Sequence, residues 1–212
     1  MDIYASDEEK AEEIKQWWRD NGRSVIAGIV IGAVAVFGGR YWLNHQQVQS
    51  ENASIIYQQS TAYLSQNDAD AAQAASQELM QNYASTPYAV FAAMQMAESA
   101  AKSGELSAAE DYLYWVIENA ELNSHKELAT LRLARLKFSQ GDNSAALDMV
   151  ASSESTAFRS LFAELEGDIK LAMGDKSAAY AAYQTAVLSL AAGEPRQRLL
   201  QMKMDDVASH EG

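Results

Sequence analysis

The chain has 212 residues, 29 acidic against 16 basic side chains and no cysteine. Thiol chemistry and a disulfide framework are therefore excluded. Residues 44–212 alone carry 22 acids and 11 bases, which argues against a nucleic-acid or anionic-lipid surface, since both need basic patches.

In chain order, residues 1–22 are polar and acidic, and Glu8–Trp18 reads as a short amphipathic helix with Ile14, Trp17 and Trp18 on its apolar face. Ser24–Gly39, SVIAGIVIGAVAVFGG, has no charged residue and is bracketed by Arg23 and Arg40. Sixteen residues make about 24 Å of helix, slightly short of a hydrocarbon core of about 30 Å. Tyr41, Trp42 and Leu43 extend it, and Trp17, Trp18, Tyr41 and Trp42 suit the two interfacial belts. The stretch is expected to be one membrane-spanning helix over 24–43. A buried core helix would need apolar cover on every side. A cleaved signal peptide ending at Ala33-Val34-Ala35 would carry an unusually long leader with seven acids and four bases.

Lys10, Lys15, Arg19 and Arg23 precede the stretch, whereas no Lys or Arg follows Arg40 until Lys102. The positive-inside rule then puts residues 1–23 in the cytoplasm and residues 44–212 on the outer side. Gly28, Gly32, Ala35 and Gly39 share one face of the helix, where small side chains would let another membrane helix approach. Asn44–Asn52 either continues the membrane helix or forms a flexible tether. As a tether it would hold the following domain at high effective concentration beside a partner of the anchor.

From there the chain repeats. Gly104-Glu-Leu-Ser-Ala-Ala109, Gly141-Asp-Asn-Ser-Ala-Ala146 and Gly174-Asp-Lys-Ser-Ala-Ala179 are one motif, with a weaker copy at Asn67-Asp-Ala-Asp-Ala-Ala72. The starts are 37, 37 and 33 residues apart. That spacing, with a helical pattern on either side, is the signature of tetratricopeptide (TPR) repeats. Gly or Asn accepts the left-handed turn that ends one helix, the next residue can cap the following helix, and the alanines allow close helix approach. The predicted pairs are 50–66 with 69–83, 87–103 with 105–120, 124–140 with 142–152, and 157–173 with 175–191. Pro195 opens a capping helix, Arg196–Ala208. The early Trp and closing Pro of the TPR pattern are missing, so the repeats are divergent. The expected fold is all-α: one transmembrane helix, then a TPR-like α-α solenoid of about four pairs and a cap.

His45, His125 and His210 are scattered, no glycine loop is placed to cradle phosphate, and no base stands beside a nucleophile. Neither an enzyme nor a cofactor or metal site is expected. Counting back 13, 10, 6 and 3 residues from each motif glycine selects one face of each first helix. It gives Phe91, Met94, Glu98 and Ala101, then Leu128, Leu131, Arg135 and Phe138, then Leu161, Glu164, Asp168 and Leu171. In TPR arrays this face lines the concave groove, and a mixed apolar and charged groove fits a polypeptide. Ordinary packing between helices is the competing reading for Phe91, Leu128, Leu131 and Leu161.

One membrane helix followed by divergent TPR-like repeats resembles the YfgM family of bacterial inner-membrane proteins. The likeness includes Met1-Asp2-Ile3-Tyr4, Gly39-Arg40-Tyr41-Trp42, Leu131-Arg132-Leu133-Ala134-Arg135 and Leu200-Gln201-Met202-Lys203-Met204. The resemblance implies an ancillary subunit of the SecYEG translocon, with a periplasmic repeat domain that joins the membrane chaperone PpiD and assists exported proteins. It supplies no catalytic residues. The alternative is an anchored regulator that sequesters a cytoplasmic signalling factor through residues 1–22.

Overall fold

The computed structural model describes residues 7–191 and 193–208, with side chains from residue 10 onward; Met1–Tyr4 and His210 lie outside them. The described secondary structure is helical throughout: α1 (Asp7–Ser65), α2 (Ala69–Asn82), α3 (Pro87–Ser103), α4 (Leu106–Asn119), α5 (Asn123–Ser139), α6 (Asn143–Ala151), α7 (Arg159–Ala172), α8 (Lys176–Leu188) and α9 (Arg196–Ala208). The chain divides into two compact units, one ending at Glu51 and the other starting at Asn52.

In the first unit the expected amphipathic helix is not a separate element but the start of α1. Asn44–Asn52 is helical too, so the flexible-tether reading is corrected in favour of the continuing helix. No Gly or Pro interrupts the segment, and Gln47 Nε2 donates to Glu51 Oε1 at 2.8 Å, one turn away. The apolar stretch within α1 is long and apolar enough to cross a membrane. Its large side chains, Ile29, Ile31, Val34 and Phe37 among them, are well exposed along the helix. That is the disposition expected of a surface solvated by lipid.

The second unit is built by the repeated motif. Asn67, Gly104, Gly141 and Gly174 all have positive φ, between 59° and 85°. At each, the amide of the next residue reaches back five positions: Asp68 to Tyr63, Glu105 to Ala100, Asp142 to Lys137 and Asp175 to Lys170, at 2.9–3.0 Å. This is the Schellman closure, which satisfies carbonyls that a helix end leaves open. Asp68, Asp142 and Asp175 then cap the following helix by accepting from the amides of Ala71, Ala145 and Ala178. Glu105 makes no such bond; its longer side chain departs from the short-chain preference at this position.

Ala72, Ala109, Ala146 and Ala179 are all fully buried. The apolar core is layered along the chain. One cluster joins the end of α1 with α2 and α3 through Ala53, Leu79, Ala89 and Ala92. The next joins α3, α4 and α5, another α5, α6 and α7, and the last α7, α8 and α9. In the first pair two buried hydroxyls satisfy each other, Ser60 Oγ lying 2.9 Å from Ser76 Oγ. The first predicted helix, 50–66, has no start of its own, being the end of α1, which runs on from Asp7; the other predicted helices stand with ends moved by up to three residues, most at α8, which stops at Leu188.

Candidate interaction surfaces

Every helix of the repeat unit must bury one face to hold its layer, so a partner can reach only what the layers leave over. α3, α4 and α5 leave a cleft of about 400 Å³. Its floor is Ala97, Ala101, Ala109, Leu113 and Leu136, and its rim carries Glu98, Arg132 and Arg135. Glu98 is paired with Lys102 at 2.6 Å on its own helix, and that hydrogen bond holds its carboxyl below the usual range. Arg132 and Arg135 make no ion pair among the described residues, and Arg135 is exposed. Arg132 acts on Glu98 through space without bonding it, so the cleft offers an apolar floor beneath two guanidiniums that no ion pair holds among the described residues.

A row of rings continues the same surface. Tyr57 lies 5.8 Å from Tyr88 and 6.1 Å from Phe91, and Phe91 meets His125 edge-on at 5.6 Å. Phe91 and Glu98 are seven residues apart on α3, as are His125 and Arg132 on α5, which is almost two turns in each case. The ring row and the cleft thus occupy the same facing sides of α3 and α5. A smaller cavity of about 190 Å³ opens beside His125, between the start of α3 and the loop before α5.

The face selected by counting back from the motif glycines is split three ways. Glu98, Ala101 and Arg135 line the cleft, and Phe91, 38% exposed, belongs to the ring row. Met94 and Leu131 are buried in the layers between helices, with Leu128, Phe138 and Leu161 packed against them. On α7 the chain's own last helix takes the charged positions. Lys203 Nζ lies 2.7 Å from Asp168 and 2.9 Å from Glu164, and Arg196 also bonds Glu164. Tyr183 Oη donates to Asp168 at 2.7 Å, and the Lys203 ammonium stands 5.5 Å from the Tyr183 ring centre. Burial pushes the Glu164 carboxyl up, but the hydrogen bonds from Lys203 and Arg196 outweigh it and leave it below its ordinary value. Burial depresses the Lys203 ammonium, yet its bonds to Asp168 and Glu164 leave it raised. The Tyr183 phenol is raised by burial first and then by Asp168. Leu171 remains 39% exposed beside this cluster.

Counting back missed Arg132, which sits one turn before Arg135, and His125, two turns earlier. The signal was available: both lie on the same strip of α5 as Arg135, which i, i+3 and i+7 spacing reveals. In the first unit, a Cβ added at Gly28, Gly32 or Gly39 meets nothing within 4 Å, and Ala35 is exposed. That small-residue face is open along the helix. His45 is exposed, and among the described residues no three or more His, Asp or Glu gather where a metal could be held.

Residues 15–209 match the family described as a tetratricopeptide repeat-like domain. Over 201 residues the chain is 32% identical to a protein of Aggregatibacter actinomycetemcomitans and 30% identical to one of Haemophilus influenzae, covering 95% of this chain and 97% of each relative. A relative from Escherichia coli K12 is 26% identical over 208 residues, 98% of this chain and all of its own. Each of these relatives is named as an ancillary SecYEG translocon subunit.

Proposed function

Since this chain belongs to the tetratricopeptide repeat-like family of ancillary SecYEG translocon subunits, we propose that it is a membrane-anchored, non-enzymatic accessory protein of the translocation channel. The observation that carries this reading is the pairing of two parts within one chain. The one apolar span among the described residues provides membrane residence, and a repeat unit offers an open, partly charged apolar groove of the kind that takes a polypeptide.

In this reading the protein sits in the bacterial inner membrane with residues 1–23 in the cytoplasm and the repeat unit in the periplasm. The support is the run of Lys10, Lys15, Arg19 and Arg23 on one flank against the long basic-free segment after Arg40. The repeat unit then meets proteins as they leave the channel, together with the membrane chaperone PpiD. Protease added to spheroplasts should digest the repeat unit, and inverted vesicles should protect it; the opposite pattern overturns the orientation. Affinity purification of the full chain from mild detergent should recover SecYEG. Recovery of PpiD with it tests the second partner separately.

A further inference from the structure

The groove between α3 and α5 has a chemistry that narrows its occupant. From His125 to Arg135 along α5 is ten residues, about 15 Å, the reach of four or five residues of extended peptide. At one end Phe91 and His125 pack edge to face on each other; at the other, Arg132 and Arg135 stand over an apolar floor. A closed cavity of about 150 Å³ already accommodates benzene, so the cleft of about 400 Å³ has room for a large side chain and flanking backbone.

Charge decides the rest. Residues 44–212 carry a net excess of 11 acids, so most of this surface repels an anionic segment. The cleft is a local inversion. Its one carboxylate, Glu98, is paired with Lys102 and feels the Arg132 charge only through space, and neither guanidinium is held in an ion pair among the described residues, so positive charge is in excess here. Guanidinium forks match carboxylates in geometry as well as in sign.

We propose that this groove binds an extended acidic polypeptide segment, placing a large apolar side chain on the floor formed by Ala101, Leu113 and Leu136 and flanking carboxylates on Arg132 and Arg135. This rests on the reading of the repeat unit as a polypeptide-binding accessory, and names the class of segment it takes.

The test uses the full-length protein in phosphatidylcholine nanodiscs and three fluorescent peptides read by anisotropy. The first alternates Leu or Phe with Glu; the second has Lys for Glu; the third has Ser for the apolar residues. The first should bind about tenfold or more tighter than either of the others. In R132E/R135E the preference between the first and second peptides should reverse, with helicity unchanged by circular dichroism. Should that variant lose helicity, R132Q/R135Q is read in its place and should lose the preference for the acidic peptide. Equal binding of acidic and basic peptides, or an unchanged preference in the Arg variants, overturns the proposal. So does a dimer that the same variants dissolve, because the occupant would then be a second copy of this chain. Recovery of the translocon with the wild-type protein separates the two levels. If it fails, the accessory reading falls; if it succeeds while the peptides bind alike, only the groove assignment falls.

Discussion

Replacing Gly167 by Ala tests the packing of the last repeat most directly. A Cβ at this position would lie 2.4, 2.5 and 2.9 Å from three atoms of the Tyr183 ring. Ordinary carbon contacts begin near 3.5 Å, so the ring must withdraw by about 1 Å. It has little room to do so: Tyr183 is 1% exposed, and its hydroxyl is tied to Asp168 at 2.7 Å. Overpacking of this kind costs about 1–3 kcal/mol, and loosening a hydrogen bond to a carboxylate adds about 1.5–3 kcal/mol. Against this, alanine is about 1 kcal/mol better than glycine inside a helix. The balance is a loss of about 1.5–5 kcal/mol, or roughly 3–20 °C in melting temperature for a unit of this size. Thermal unfolding of the full chain, followed by far-ultraviolet circular dichroism, measures it. Helix propensity alone predicts the opposite sign, so an unchanged or raised melting temperature refutes the argument. In a Tyr183→Leu background the added methyl should cost far less, and the double-mutant cycle isolates the contact.

Three other outcomes follow from the same structure. Gly141→Ala should destabilise by about 1 kcal/mol in urea unfolding although nothing lies near its Cβ, because the left-handed turn itself disfavours a side chain; Gly141→Asn should cost less. The contact of α9 with α7 should be lost at both extremes of pH. Glu164, with its pKa lowered from 4.5, contributes stability above that value and loses it as pH falls through its folded pKa. Lys203, raised from 10.5, contributes below that value and loses it as pH rises through its folded pKa. Hydrogen exchange of residues 196–208 measures both losses, and K203M should remove the alkaline one. Gly28→Leu with Gly32→Leu should reduce recovery of the channel complex from detergent while leaving the melting temperature of the repeat unit unchanged; equal recovery removes that face as a packing surface.

The sequence made the turns and the span legible because both are local signals. A glycine that must take positive φ, followed by a short acid and two alanines, specifies a helix end, a cap and a close approach within six residues. A charge-free run between arginines is equally self-contained. The groove was legible only in part. First helices of a solenoid pack on both sides, so apolar spacing marks Met94 and Leu131 for burial as readily as for a ligand. Asp168 shows the other limit: its partner Lys203 lies 35 residues on, and only the docking of α9 brings them together. Spacing along α5 places Arg132 and Arg135 on one strip, but the apolar floor beneath them comes largely from α3 and α4, which no spacing within α5 encodes. The helical state of Asn44–Asn52 was left open because Gln, Asn and Ser are tolerated in both helix and loop.

The layering of the core bears on how the repeat unit comes into being. Each apolar cluster draws on helices consecutive in the chain, and none waits for a segment far downstream. A chain folding from its amino end can therefore finish one storey before the next arrives, with loops of a few residues to close each time. At any moment only the newest storey is without a roof. Leu200, Met204 and Val207 of α9 supply it for α7 and α8, and the ion pairs of Arg196 and Lys203 fasten it. With α9 in place, the interior face of α7 and α8 is covered by a helix that the chain itself supplies, so the last storey is closed from within.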